Sequence, residues 1–158
     1  SVLCEKPLTM NSSEAMLLFN LAKKKQLLLM EAFMYRMHPQ TDKIRELVQE
    51  NFKGKKIEIK ASFGFKANVK QDHRLLNPKL GGGSILDVGC YPLSMARMIV
   101  GLINGKEFMD PDEYEVISEI NEYGIDLSSE AKLIFLDGSS AYLASSIKEN
   151  LEKSFKNS

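Results

Sequence analysis

The chain has 158 residues, of which 44% are hydrophobic and 27% are charged, a composition typical of one soluble globular domain with a sizeable core. Basic and acidic residues number 21 each, so the formal net charge of zero gives no electrostatic reason to expect nucleic acid or an anionic membrane as a partner. Apolar runs fall short of the roughly 20 residues that span a bilayer, and two cysteines and two histidines form neither a disulfide framework nor a zinc motif. We expect a cytoplasmic protein that uses no metal, membrane or nucleic acid.

The first 51 residues predict two strands, each followed by a helix. Residues 1–4 suit a short strand, and Asn11 with Glu14 three positions later is typical of a capped helix start. Residues 27–34 are an apolar run of strand length without alternation, which predicts a strand that is buried on both faces. A helix is predicted over 39–51, with Pro39 as its first residue.

The rest of the chain predicts a sheet and one long helix. Residues 56–66 alternate apolar and polar side chains at a period of two, as in a strand of a sheet with one open face. A polar loop over 67–80 leads to a helical run that ends near Val100. Three more strands follow, at 112–123, 129–136 and 140–147, the last two joined by the hairpin signal Asp137-Gly138. The predicted fold class is α+β (α/β), with an open, mostly antiparallel sheet and helices packed on one face.

The start of the long helix is the first candidate site. Asp87 and Tyr91 are four residues apart, so a helix places them on one face. The alternative for Asp87 is a capping box with Ser84, and the alternative for Tyr91 is a packed phenol. Pro92 removes a backbone donor here and suits a kink. The preceding glycines at 81–83 could also cradle a phosphate, although no lysine follows them.

Two further segments carry candidate chemistry. Lys6, held by the following Pro7, is a possible donor to a substrate oxygen or a cofactor, and the alternative is an ordinary surface turn. Tyr35, Arg36 and His38 follow the second strand and suit recognition of a polar ligand. Their alternative is an arginine that bridges to a neighbouring acid and a histidine that caps the next helix.

The three segments in this order resemble the Gfo/Idh/MocA family of NAD(P)-dependent oxidoreductases, in the branch of glucose-fructose oxidoreductase, D-xylose dehydrogenase and dimeric dihydrodiol dehydrogenase. The matching motifs are Glu5-Lys6-Pro7, the segment from Glu31 to Gln40, and the segment from Gly81 to Pro92. The resemblance implies an N-terminal Rossmann domain and a C-terminal domain whose open sheet forms a homodimer. Residues 1–10 would be the end of the Rossmann domain and the junction, and 11–158 the substrate-binding and dimerisation domain. The G-x-G-x-x-G motif is absent, so we expect a fragment of a longer enzyme, also truncated at its C-terminus and inactive alone.

The resemblance also implies roles for individual residues. Lys6, Asp87 and Tyr91 would be catalytic, with Tyr91 as the general acid/base and Lys6 lowering the pKa of its phenol. Glu5, Lys6 and Pro7 would contact the cofactor, NAD or NADP, while Tyr35, Arg36, His38 and Arg74 would line the pocket for a sugar or vicinal diol. Two alternatives stay open: a non-catalytic dimerisation or interaction module, and a relative that uses NAD for glycoside cleavage.

Overall fold

The N-terminal part of the chain is a β-α-β unit in the computed structural model, which describes residues 1–151 and 155–156. Strands β1 (Val2–Glu5) and β2 (Leu29–Ala32) pair in parallel, and helix α1 (Ser12–Lys24) connects them. Asn11 caps α1 as predicted, since its side chain accepts the Glu14 N–H at 3.0 Å. The parallel pairing brings the carboxyl ends of both strands to one edge, where the chain continues into two of the candidate segments.

The prediction that residues 27–34 are buried on both faces is wrong. Only Leu29–Ala32 forms the strand, and Leu28 and Met30 are 66% and 42% exposed. The unit contains a two-stranded sheet, and two strands lack the flanking layers that bury both faces of a central strand. The run then turns into a 3₁₀ helix over Met34–Met37.

Helix α2 (Pro39–Asn51) covers the predicted residues. The Nδ1 atom of His38 accepts the Gln40 N–H at 3.1 Å, so this histidine caps the helix. Val48 is buried, whereas Leu47 is 45% exposed. The buried face of α2 therefore contains fewer of its apolar side chains than the sequence pattern predicts.

A second, five-stranded sheet forms most of the remaining chain. Its strands are β3 (Glu58–Gly64), β4 (Glu113–Ile120), β5 (Asp126–Ile134), β6 (Ser140–Ser146) and β7 (Phe155–Lys156), in the order β4–β5–β6–β3–β7. The β3–β6 pair is parallel and the other pairs are antiparallel. This is the open, mostly antiparallel sheet that the sequence predicts. Of the predicted domain 11–158, residues 152–154 and 157–158 lie outside the described residues.

Helix α3 (Cys90–Ile103) packs across one face of this sheet, directly after a π-helical turn over Ile85–Gly89. Helices α2 and α3 run in the same direction. Tyr35, just before the start of α2, is hydrogen-bonded to Ser94 in the first half of α3. The N–H of Gly54, just after the end of α2, donates to the carbonyl of Ile103 at the end of α3 at 2.8 Å. The core between α2, α3 and the sheet contains Val48, Ile59, Ala61, Ala96, Met98, Ile99, Val100, Leu102, Ile103, Leu133, Phe135, Ala141 and Leu143.

The helical stretch Pro78–Ile103 has 26 residues and is long and apolar enough to cross a membrane, by length and composition alone. Half of its most apolar 18-residue window is buried inside the fold, where α3 packs on the sheet. A core helix meets the same criterion, so we assign this stretch to the hydrophobic core.

Candidate functional site

A cleft of about 1180 Å³ brings most of the predicted site residues together. Its walls come from the carboxyl-end side of the β-α-β unit, from α2, from β3 and from the start of α3. The side chains that line it are Lys6, Met34, Tyr35, His38, Gln40, Thr41, Ile44, Val48, Phe52, Ile57, Phe63, Phe65, Asp87, Val88, Tyr91, Met95 and Ile99.

Lys6 extends from the end of β1 into this cleft. Its ammonium group donates a hydrogen bond to the backbone carbonyl of Asp87 and lies 4.8 Å from the centre of the Tyr91 ring. The segment after it is held by Glu31, whose Oε1 accepts the Leu8 N–H at 2.7 Å. Lys6 is therefore placed by β1 at one end and by a bond to β2 at the other, at a partly buried bend that faces the cleft.

The π-helical turn lies against Lys6. In this turn the Cys90 N–H donates to the Ile85 carbonyl, five residues earlier. The Asp87 carbonyl, inside the same turn, accepts a hydrogen bond from the Lys6 ammonium. Pro92, which has no backbone N–H, follows in the first turn of α3.

The Asp87 carboxylate faces Arg74. Its Oδ1 lies 2.9 Å from the Arg74 Nη2, and the Asp87 side chain is 11% exposed while that of Arg74 is 58% exposed. The capping-box alternative for Asp87 is wrong, because Ser84 has helical backbone angles and makes no side-chain cap. Asp87 thus presents its carbonyl to Lys6 and its carboxylate to a half-exposed arginine.

Asp126 is the residue that the sequence analysis missed. This side chain of β5 accepts the Ile85 N–H at 2.7 Å and the Ser84 hydroxyl at 2.8 Å, so it caps the start of the helical run. Gly83 has a φ of +108°, and a Cβ there would collide with the Asp126 carboxylate. About 40 residues separate the cap from the turn, so no local pattern signals it.

The same contacts exclude a phosphate cradle at glycines 81–83. The Ile85 N–H, which a phosphate would need, already binds the Asp126 carboxylate. A Cβ on Gly82 would lie 2.6 Å from the Leu75 carbonyl oxygen, so the glycine serves close packing of the backbone. An anion here would also meet the negative charge of Asp126.

Tyr91 lies in a cluster of aromatic rings. The centres of the Phe33, Phe63 and Tyr35 rings are 5.6, 5.7 and 6.2 Å from its own. Burial, followed by the charges of Cys90, Glu5 and Asp87, raises the pKa of the Tyr91 phenol above its ordinary value. In this chain burial is the largest influence on the phenol, and the predicted role of Lys6 in lowering its pKa stays a prediction.

The other predicted substrate residues separate into two groups. Tyr35 and His38 line the cleft, whereas Arg36 and Arg74 do not. The Arg36 guanidinium lies between the rings of Phe33 and Phe108, 4.8 and 4.6 Å from their centres, and donates to the Ser94 hydroxyl at 2.8 Å. Arg36 is thus a partly buried cation that is held between two rings and does not line the cleft.

The chain resembles known proteins over most of its length. Residues 41–150 match the model of the GFO/IDH/MocA C-terminal domain. D-xylose 1-dehydrogenase (NADP(+)) 2 of Haloferax volcanii is 36% identical over 146 residues, which are 92% of this chain and 42% of that protein. Trans-1,2-dihydrobenzene-1,2-diol dehydrogenase of Xenopus tropicalis is 33% identical over 151 residues, 96% of this chain and 43% of the other.

Solved structures show the same fold. KijD10, a 3-ketoreductase from Actinomadura kijaniata solved with NADP and TDP-benzene, superposes with a TM-score of 0.77 at 28% identity, over 98% of this chain and 45% of that one. The chain spans less than half the length of the curated relatives named here. By the family match and the shared fold, the chain belongs to the GFO/IDH/MocA family, of which it contains the C-terminal domain.

Proposed function

We propose that this chain is the substrate side of an NAD(P)-dependent oxidoreductase, which transfers hydride between the cofactor and a carbinol carbon of a sugar or vicinal diol. The observation that carries the proposal is the pairing of the Lys6 ammonium with the Tyr91 phenol in one cleft, 4.8 Å from nitrogen to ring centre. The names of the relatives support it, since they are a sugar dehydrogenase, a diol dehydrogenase and a ketoreductase.

The cleft residues suit the proton half of this reaction. The nicotinamide, when bound, supplies the hydride chemistry. In the direction of carbonyl reduction, the protonated Tyr91 hydroxyl gives its proton to the substrate oxygen, and in the reverse direction the phenolate takes it back. The Lys6 ammonium donates to the same oxygen or to a ribose hydroxyl, and its bond to the Asp87 carbonyl keeps it beside the phenol.

The residues at the end of β1 fit the reacting end of such a cofactor. Ligands of parallel sheets bind beyond the carboxyl ends of the strands, and Glu5, Lys6 and Pro7 lie at that edge beside the cleft. The loop from β1 to α1 contains no glycine, so it lacks the glycine-rich turn that binds the pyrophosphate of a dinucleotide. We therefore assign contacts with the nicotinamide half to these residues, and contacts with the other half to a nucleotide-binding domain outside the 158 residues.

The same assignment supports the proposed domain organisation. We place the end of a Rossmann domain after Ala32, later than the predicted junction at residues 1–10, and the substrate-binding and dimerisation domain in the part of 11–158 that follows it. The parallel β1–α1–β2 unit is itself of Rossmann type, which supports a Rossmann contribution that extends as far as Ala32. A chain that holds half of the site is inactive alone.

Within the cleft we assign substrate binding to Tyr35 and His38, and we assign to Asp87 the role of orienting the substrate. Arg74 reaches the cleft through its ion pair with Asp87. We assign Arg36 a structural role, because both aromatic neighbours and Ser94 hold it away from the cleft.

A fluorescence titration with NADPH tests the proposal. We expect the full-length protein to bind NADPH with micromolar affinity or better and to form NADPH from NADP⁺ with a sugar or diol, and the 158-residue chain to do neither. A full-length protein that neither binds NADPH or NADH nor changes the oxidation state of any sugar or diol contradicts it. Net hydrolysis of a glycoside without net NADPH formation would instead identify a glycoside-cleaving enzyme.

The open face of the large sheet favours a second role, as a dimerisation surface. Charged side chains project from it among small residues, Tyr142 and the 78% exposed Ile117; they are Lys60, Glu115, Glu130 and Lys132. A face that carries both signs of charge suits isologous pairing, in which the same patch meets itself. We propose that the protein is a cytoplasmic homodimer through this face, and the role is compatible with catalysis.

A further inference from the structure

Arg36 is connected to the cleft through two hydroxyl groups. Its guanidinium lies 4.8 and 4.6 Å from the centres of the Phe33 and Phe108 rings, which hold it in place. Its Nη2 atom donates to the Ser94 hydroxyl at 2.8 Å. The same Ser94 oxygen lies 2.8 Å from the hydroxyl of Tyr35, which lines the cleft. The three side chains therefore form a chain of hydrogen bonds from a fixed cation to the cleft.

The arginine sets the direction of these hydrogen bonds. A guanidinium has donors and no acceptor, so the Ser94 oxygen accepts from Arg36. Ser94 is 3% exposed, and a buried hydroxyl proton without an acceptor is unfavourable. In the part of the chain that the structure describes, the side-chain oxygen within bonding distance of this proton is that of Tyr35. Ser94 therefore donates to Tyr35, and the Tyr35 proton is left for another acceptor.

The acceptor for the Tyr35 proton is then a molecule in the cleft. A phenol that accepts a hydrogen bond from Ser94 is itself a stronger donor, because hydrogen bonds in a chain polarise one another. The charge of Arg36 adds to this effect, since charge-assisted hydrogen bonds are stronger than neutral ones. The centres of the Tyr35 and Tyr91 rings are 6.2 Å apart, so one ligand in the cleft can meet both phenols.

We propose that the Tyr35 hydroxyl donates to a second oxygen of the substrate, beside the oxygen that Tyr91 protonates. Arg36 and Ser94 are positioning residues, which orient this donor without touching the substrate. The inference rests on the proposed function and concerns how the same site recognises its substrate.

A double-mutant cycle in the full-length protein tests this chain of hydrogen bonds. The variants are Tyr35→Phe, Ser94→Ala and the two together. Their kcat/KM is measured with NAD⁺ or NADP⁺ and with D-xylose or trans-cyclohexane-1,2-diol, whichever the wild type oxidises faster. We expect each single variant to lower kcat/KM by about three- to tenfold, the range of one neutral hydrogen bond. The double variant should be no slower than Tyr35→Phe, because Ser94 acts through the phenol.

Arg36→Met tests the far end of the chain. It removes the donor to Ser94 and keeps an unbranched side chain between the two rings. It should lower kcat/KM in the wild-type background and have no effect in the Tyr35→Phe background. The Ser94→Ala cycle does not depend on the folding of this variant.

Ser118→Ala is the control, because the Ser118 and Ser129 hydroxyls form another pair at 2.8 Å, between β4 and β5 and outside the cleft. It should leave kcat/KM unchanged. A wild-type kcat/KM in Tyr35→Phe or in Ser94→Ala overturns this inference and leaves the proposed function intact. The same holds if Ser94→Ala costs as much in the Tyr35→Phe background as in the wild type, since a general loss of structure acts in both. A wild-type protein that binds neither NADPH nor NADH and oxidises neither probe contradicts the proposed function itself.

Discussion

At the scale of single residues, the site depends on one hydrogen bond. The Lys6 ammonium donates to the Asp87 carbonyl in the π-helical turn. The ammonium is thereby held beside Tyr91, although the two residues are far apart in the chain. A lysine placed in this way can donate to a substrate oxygen beside a phenol whose pKa burial raises.

The first prediction concerns Tyr91→Phe. Removal of the hydroxyl should lower kcat of the full-length enzyme by about 10²–10⁴, the usual contribution of a general acid. Because burial raises the pKa of this phenol above its ordinary value, the wild-type rate of carbonyl reduction should stay constant through neutral and mildly alkaline pH and fall only in strongly alkaline solution. The variant should lack that fall. The comparison is made by steady-state kinetics over pH 7–11.

Tyr114→Phe is the matched control, since Tyr114 is 72% exposed on β4 and does not line the cleft. It should retain the wild-type kcat and pH profile. If Tyr91→Phe also retained both, the role of the phenol as general acid would be refuted.

At the scale of elements, the start of the helical run is fixed from the sheet. Asp126 of β5 satisfies the Ile85 N–H and the buried Ser84 hydroxyl, which also lies 2.9 Å from the Ser145 hydroxyl of β6. A Cβ on Gly89 would lie 3.0 Å from that Ser145 hydroxyl oxygen, so the π turn rests directly on the sheet. Contacts with the sheet therefore fix the positions of Asp87 and Tyr91.

We expect Asp126→Ala to destabilise the protein by about 2–3 kcal/mol, because it leaves a buried hydroxyl and a helix N–H without their charged acceptor. Denaturant unfolding measures this change. Asp72→Ala, at an exposed position in the 67–80 loop, is the control and should change stability by less than about 0.5 kcal/mol. Equal effects of the two substitutions would show that the Asp126 cap contributes nothing.

Local patterns were sufficient where local physics decides the structure. The capped start at Asn11, the helix beginning at Pro39 and the alternating strand before Gly64 all depend on neighbours within a few residues. The Asp126 cap joins the π turn to a strand about 40 residues further along the chain, so the local sequence carried no signal for it. Arg36 was predicted at the substrate for its polarity, and its place among aromatic rings depends on Phe108, far away in the chain.

At the scale of the whole molecule, the large sheet has two faces of opposite character. Ala61 and Leu143 are buried under the helices, while their neighbours Lys60, Tyr142 and Ala144 point to the other side. No helix of the described residues packs on that second face. Its small central residues allow close approach of a second sheet, as our proposal of a homodimer requires.

The last prediction is that Ala144→Arg disrupts this homodimer. An arginine at the centre of the open face would insert a long charged side chain into a contact between two copies, and it should raise the dimer Kd by at least about tenfold, or 1.4 kcal/mol. The fold of each protomer should persist, because the side chain points away from the core. Sedimentation velocity of the full-length protein measures the change.

Leu136→Arg, at the exposed hairpin, is the control and should leave the protein dimeric. A wild-type protein that sediments as a monomer at micromolar concentration would contradict the proposed homodimer, and a dimer that Ala144→Arg leaves intact would place its interface elsewhere.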